Sequence, residues 1–205
     1  MIWPPPARAL DGTIVRLEPL GREHLDGLRA AASDPETWTW IDRRIPGEPL
    51  AFDRWFETRV GAGLSHAEWP FATISLATGE PIGSSSYLTI RPDQHGLEIG
   101  WTWLHPSVWR TGANLETKLL MLGLAFDELG CMRVEFKTDA RNARSRAALE
   151  ALGAGFEGIF RKHMLMPLTG VRDSAYYSIT DDEWPELRER LAARLERGRE
   201  AAAHA

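Results

Sequence analysis

Short runs of alternating apolar and polar residues make up much of this chain, separated by stretches with an apolar residue at every third or fourth position. Alternation marks a strand with one buried face, and the longer period marks an amphipathic helix. Residues 13–20 alternate and predict a strand. Residues 23–32 predict a short helix, and 34–41, with Pro35 near the start, a further helical turn. Phe52, Trp55, Phe56 and Val60 space a helix across 48–61. Residues 69–77 and 81–90 predict two strands joined at Thr78-Gly79-Glu80. Residues 97–104 and 132–137 read as two more. Between them Leu115, Leu119, Leu122, Phe126 and Leu129 recur at helical spacing, and Gly130 stands where a C-terminal cap is expected. Residues 142–152 predict a helix closed by Gly153. Residues 156–166 and 173–180 predict a hairpin around Pro167-Leu168-Thr169-Gly170. From Glu183 the stripe Leu187, Leu191, Leu195 predicts a terminal helix. The interleaving predicts an α+β fold built on a central sheet. Residues 1–10, with three consecutive prolines, read as an extended arm, 11–184 as one domain, and 185–205 as a helix with a frayed tail.

Size agrees with a single core, since 205 residues lie close to the usual domain range. The net charge is −5, from 29 acidic and 24 basic residues. That balance lacks the basic footprint of a nucleic-acid binder, so no nucleic-acid partner is expected. The apolar runs are too short to span a bilayer, so no membrane partner is expected either. Cys131 is the single cysteine and has no partner for an internal disulfide. A reducing, cytoplasmic setting is the simple expectation. Six histidines are scattered without ligand spacing, which predicts no metal site. Nine tryptophans are many for this length; they fill the core or line a cleft.

One stretch carries more chemistry than the rest. Trp109-Arg110-Thr111-Gly112-Ala113-Asn114 hands a strand over to the firmest helix. A helix N-terminus has backbone N–H groups without partners, and its dipole favours negative charge. The amides of Arg110, Thr111, Gly112, Ala113 and Asn114 therefore form a candidate phosphate cradle, with Arg110 and Lys118 as added charge. An ordinary capped helix start explains the same residues. Asn142 and Ser145 stand at N-cap and N3 spacing, which by itself predicts a side-chain cap.

These segments, in this order, resemble the GNAT superfamily of acyl-CoA-dependent N-acyltransferases. Glu98-Ile99-Gly100-Trp101, Asn142-x-x-Ser145 and Tyr177-Ser178-Ile179 with Glu183-Trp184 resemble its ribosomal-protein N-terminal acetyltransferase branch. The resemblance covers about residues 11–184. It implies a mixed, mostly antiparallel sheet of about seven strands, splayed between the fourth and fifth. It also implies acetyl-CoA as acyl donor, no metal, an amine acceptor (a protein N-terminus, a peptide or a small amine) and a homodimer as one assembly. The superfamily turn reads Gln/Arg-x-x-Gly-x-Gly/Ala. Gly112 matches its central glycine, while Trp109 and Asn114 depart from the first and last positions. Asn142 is implied to contact the pantetheine arm, and Ser145 to lie near the thioester sulfur. Many relatives place a proton-donating tyrosine four residues before the closing glycine; here that residue is Leu149. Ser145 or water must then protonate the thiolate. Glu98 is the implied general base, with His105 as runner-up. Strand alternation puts Leu97, Ile99, Trp101 and Trp103 on one face and Glu98, Gly100 and Thr102 on the other. Backbone N–H groups near Trp103 and Leu104 are expected to face the thioester oxygen. A non-catalytic acyl-CoA-binding or regulatory module on the same fold is the alternative. A nucleotide-binding protein using the same helix terminus is a more distant one, since no Gly-Lys-Ser/Thr sequence is present.

Overall fold

Residues 8–42, 44–45, 48, 50–166 and 168–203 are described by a computed structural model. The proline-bearing residues 1–7 of the expected arm and Pro167 at the hairpin tip lie outside the described residues. The strands are β1 (Leu10–Asp11), β2 (Val15–Pro19), β3 (Trp69–Ser75), β4 (Pro81–Arg91), β5 (Gly96–Leu104), β6 (Arg133–Asp139), β7 (Gly155–Met166) and β8 (Gly170–Thr180). They form one eight-stranded sheet in the order β1-β2-β3-β4-β5-β6-β8-β7. Each neighbouring pair is antiparallel except β5 with β6. The strand beyond the expected number is β1, whose Leu10 and Asp11 pair with Leu17 and Arg16. Two residues are too few to show a period, so the sequence alone leaves Leu10 in the arm.

Helices cover both faces. α1 (Leu25–Ala31) and α2 (Ala51–Leu64) lie on one; α3 (Ala113–Gly123), α4 (Ala143–Leu152) and α5 (Trp184–Ala203) lie on the other. On the α3 side, Leu97, Ile99 and Leu104 of β5 pack with Met121, Leu122, Leu149, Leu152, Leu187 and Leu191. The α2 side holds a smaller aromatic core. There the rings of Trp38, Phe52, Trp55 and Trp103 stand 5.0–6.4 Å apart. The expected leucine stripe of α3 continues past its end through one wide turn at Leu124–Glu128, where the Leu129 N–H bonds the Leu124 carbonyl. Gly130, at φ 62°, then stops it.

β5 carries the decisive irregularity. Gly100 lies opposite Ser86 and Trp103 opposite Ser84, so Trp101 and Thr102 together oppose Ser85. Trp101 takes a φ of 49°. One inserted residue reverses the side-chain alternation beyond it. The expectation that Leu97, Ile99, Trp101 and Trp103 share a face is therefore wrong. Leu97 and Ile99 face α3, while Trp101 lies under the α2 guanidinium of Arg59 at 4.7 Å and Trp103 enters the aromatic core. Just past the bulge, β4 approaches so closely that a Cβ at Gly83 would lie 2.1 Å from the Trp103 carbonyl oxygen. Only glycine fits there.

The turn between β1 and β2 is tied to α3 by one buried carboxylate. Glu116 accepts from the N–H and hydroxyl of Thr13 through Oε1, and from the N–H groups of Ile14 and Val15 through Oε2, each at 2.7 Å. Bonds to a charged acceptor contribute about 1.5–3 kcal/mol each and are not additive. Glu116→Ala orphans three backbone donors, so it should lower unfolding free energy by about 3 kcal/mol or more. A shift of the urea midpoint under 0.5 kcal/mol equivalent would show that water replaces the carboxylate.

Candidate active site

The parallel pairing of β5 with β6 covers three residues: Gly96, Leu97 and Glu98 oppose Arg133, Val134 and Glu135. β6 then follows β8 along its whole length, and β5 follows β4. From Ile99 to Leu104 one edge of β5 has no strand partner, which leaves a tapering gap inside the sheet. The His105 N–H bonds the Ile82 carbonyl at 2.9 Å. Antiparallel alternation therefore turns the intervening Leu104 N–H away from β4 and toward the gap. The Leu104 carbonyl accepts from the Trp109 indole at 2.9 Å. Glu98 and Leu104 stand six residues apart on β5, roughly 20 Å of strand.

Two helices begin at the wide end of the gap. Gly112, at φ 94°, precedes α3 in a conformation that any side chain would strain. A Cβ there would also lie 2.9 Å from Ile14 Cδ1. Gly112 offers no side chain to cap this N-terminus, and Thr111 Oγ1 accepts the Ala113 N–H at 3.5 Å; Arg110, Thr111 and Asn114 are exposed beside it and Ala113 is buried. At α4 the buried Asn142 accepts the Ser145 N–H at 3.1 Å, so the cap expected from spacing is present. Ser145 is half-buried, and its hydroxyl has no hydrogen-bond partner among the described residues. Arg144 of α4 stacks 3.7 Å above Trp109 and reaches Glu36 at 3.4 Å. That stack ties the first turn of α4 to the residues leading into α3, and each helix N-terminus favours negative charge.

Glu98 sits at the narrow end of the gap, on the α2 side and buried. Its Oε2 accepts from Lys137 at 2.9 Å and from the Thr89 hydroxyl at 3.2 Å. Its Oε1 has no such partner among the described residues and lies beside Gly100, where a Cβ would come within 3.0 Å of it. Around it, Arg59 binds Glu68 at 2.5 Å, and His163 accepts or donates to Ser174 at 2.9 Å and Tyr176 at 3.3 Å. Burial pushes the Glu68 carboxyl and the Tyr176 phenol up, and pulls His163 below its ordinary value.

The structure thus gathers the expected residues into two groups on one strand gap. Leu104, Arg110 to Asn114, Asn142 and Ser145 surround the wide end, and Glu98 stands at the narrow end. Trp103 backs the gap through the aromatic core. His105 caps the turn after β5 instead, through Ser107 at 2.7 Å. Leu149 is packed in the core and offers no proton. Tyr87 and Tyr177 donate to the Met121 carbonyl and Glu150.

Lys118 does not face phosphates. Its ammonium turns under the sheet to Thr102 Oγ1 at 2.5 Å and Ser85 Oγ at 3.3 Å, with no carboxylate within 4.0 Å among the described residues. Burial lowers its pKa to about 7. Its helical position, between Thr117 and Met121 on one side and Leu122 on the other, was the signal that it points inward.

A splayed mixed sheet with two helix N-termini at its opening defines an acyl-CoA acyltransferase architecture. The family profile described as Acetyltransferase (GNAT) domain matches residues 15–155, and the chain belongs to this family. It is an acetyl-CoA-dependent N-acetyltransferase. It is similar to a GCN5-related N-acetyltransferase from Brucella melitensis, at 35% identity and TM-score 0.86, covering 93% of this chain and 86% of that one. It is 26% identical to the FsC-acetyl coenzyme A-N(2)-transacetylase of Aspergillus fumigatus, over 83% of this chain and 75% of that protein. The fold is also that of RimL, a ribosomal L7/L12 alpha-N-protein acetyltransferase, with 16% identity and TM-score 0.72 over 84% of this chain and 94% of that one. Among the described residues no helix is long and apolar enough to cross a membrane.

Lys118 makes stability depend on pH. The folded pKa near 7 lies below the ordinary 10.5, so the unfolded chain binds the extra proton between them. Stability should therefore rise with pH across that window, by up to about 1.4 kcal/mol per unit, and fall away as pH drops through 7. Lys118→Met should flatten the rise in urea titrations, since Ser85 and Thr102 still bond each other at 2.7 Å. An equal slope in both proteins would mean that Lys118 stays charged.

Proposed function

We propose that this chain transfers an acetyl group from acetyl-CoA to a primary amine by direct attack within a ternary complex. The observation that carries the reading is the gap between β5 and β6, entered from opposite faces of the sheet. At its wide end, the amides of Arg110 to Asn114 and the α3 dipole would hold the pyrophosphate. The donor's arm would run along β5, with the Leu104 N–H and Asn142 beside it and Trp103 behind. The acetyl thioester supplies the electrophile. Alignment of the two reactants in one slot supplies a large part of the rate.

On the α2 side, Glu98 takes the amine proton through Oε1, directly or through water. Lys137 and Thr89 hold its other oxygen and so fix the carboxylate plane. Ser145 donates a hydrogen bond to the departing sulfur from the first turn of α4, in place of the tyrosine that Leu149 replaces. Any amine reaching Glu98 approaches from the α2 face, past Trp101 and Arg59.

Two substitutions test the two ends separately. Asn114→Asp puts a negative charge at the exposed second position of α3. It should weaken acetyl-CoA binding about tenfold in calorimetry, a loss of roughly 1.4 kcal/mol. The same charge favours the helix dipole, so the melting temperature should hold or rise. Unchanged affinity would move the pyrophosphate elsewhere.

Glu98→Gln keeps the shape and removes the base. Acetylation of a responsive amine should fall by about 10²-fold or more, with the acid limb of the pH–rate profile flattened. Acetyl-CoA affinity should not change. Full activity with an unaltered profile would assign proton removal to bulk water.

A further inference from the structure

The α2-side cleft contains several pairs of opposite charge, and one cation outside them. Lys137 is paired with Glu98, Arg59 with Glu68, Arg91 with Glu135, and Arg141 with Asp139. Arg172 of β8 is buried, yet no carboxylate lies within 4.0 Å of its guanidinium among the described residues. Its Nε donates to Ser174 Oγ at 3.0 Å, and the two terminal nitrogens remain. Asp139 and Glu98 are near enough to favour the charge, but Arg141 holds both Asp139 oxygens, at 3.0 and 2.8 Å, and Lys137 holds Glu98 Oε2 at 2.9 Å. Burial works against the Arg172 charge, and a guanidinium cannot escape by losing its proton in a protein. An ion taken out of water without a partner is costly, so a buried one marks a place for an anion. Terminal nitrogens set side by side match the two oxygens of a carboxylate.

We propose that Arg172 is the anchor for a carboxylate carried by the acceptor amine. This rests on the reading that acetyl transfer to an amine occurs at Glu98. On β8, Tyr176 pairs with Lys137, the partner of Glu98, and Arg172 lies four residues further along the same strand. Four residues of strand span roughly 14 Å, of which the long arginine side chain recovers a part. The amine and carboxylate are thus several bonds apart and are not the two groups of one α-amino acid. A cavity of about 210 Å³ lies beyond, between Trp40 and Ile41 on one side and Met166, Leu168 and Thr169 on the other, with Asp139 at its edge.

The test uses matched pairs: ω-amino acids and dipeptides, each against its carboxamide. Acetyl transfer is followed by thiol release and binding by calorimetry, in the parent, Arg172→Gln and Arg172→Lys. In the parent, kcat/KM should favour the carboxylates by tenfold or more, chiefly through KM. Arg172→Gln should bring the ratio to about one while leaving rates with the carboxamides and acetyl-CoA affinity as in the parent. Arg172→Lys should restore part of the preference. A parent without preference, or a preference that survives Arg172→Gln, overturns the assignment. Carboxylate binding lost in Arg172→Gln sustains the anchor even if no amine is acetylated, a result that would instead overturn the transfer reading.

Discussion

Everything at this site depends on a parallel pairing that stops after three residues. β5 and β6 meet from Gly96 to Glu98 and then separate, because each strand is committed to a different antiparallel neighbour. β6 aligns with β8 for seven residues, whereas β5 is bent against β4 by the bulge at Trp101 and Thr102. A bulge increases local twist and turns a strand away from its former partner. The result is an unpaired edge inside a sheet, a rare place where main-chain donors are available to a ligand without exposing an outer strand to aggregation.

The bulge also has to be held from beneath. Lys118 reaches up from α3 to Thr102 and Ser85 at that point, in a region where a charge is unfavourable. Burial brings the amine close to neutrality, at a pKa of about 7, and two hydroxyls satisfy it. An apolar side chain of similar length would fill the space without the electrostatic penalty, so Lys118 marks a site where geometry has been kept at the expense of stability. Glu116, on the same helix, fixes the β1–β2 turn against the start of α3. One helix thus positions the open end of the gap with a carboxylate and the irregular strand with an amine.

Much of the fold was readable from the chain because its periods are clean. The stripe through Leu122, Phe126 and Leu129, the Gly130 and Gly153 stops, and the alternation in β2 and β6 correspond to elements found at those places. The Asn142 cap was readable too, since capping depends on local spacing. What escaped depends on residues far apart in sequence. An inserted residue in β5 is visible only against its register with β4, so the sides taken by Trp101 and Trp103 came out reversed. The direction of Lys118 needed the sheet above it. On β7, Arg161 and Lys162 are exposed, but the bulge between Phe160 and Met164 turns His163 inward to Ser174 and Tyr176.

The reversal in β5 has a chemical consequence. Had alternation continued, Trp101 and Trp103 would face α3, and Glu98 would stand on a face lined by Thr102 and Gly100. Because of the bulge, Glu98 shares its face with both tryptophans. Trp101 and Arg59 wall the approach, while Trp103 and Trp38 seal the floor against water. The wide end of the gap is built from main-chain amides and helix dipoles, groups that carry no net charge and suit an anion. The Glu98 end is built from side-chain ions in pairs, with Arg172 outside them among the described residues. A site that recognises its donor through the backbone and its acceptor through side chains can keep the first while exchanging the second. On the proposed assignment the sheet's own register separates the two, and the charge that would distinguish the acceptor lies on β8 and not at the glycine turn.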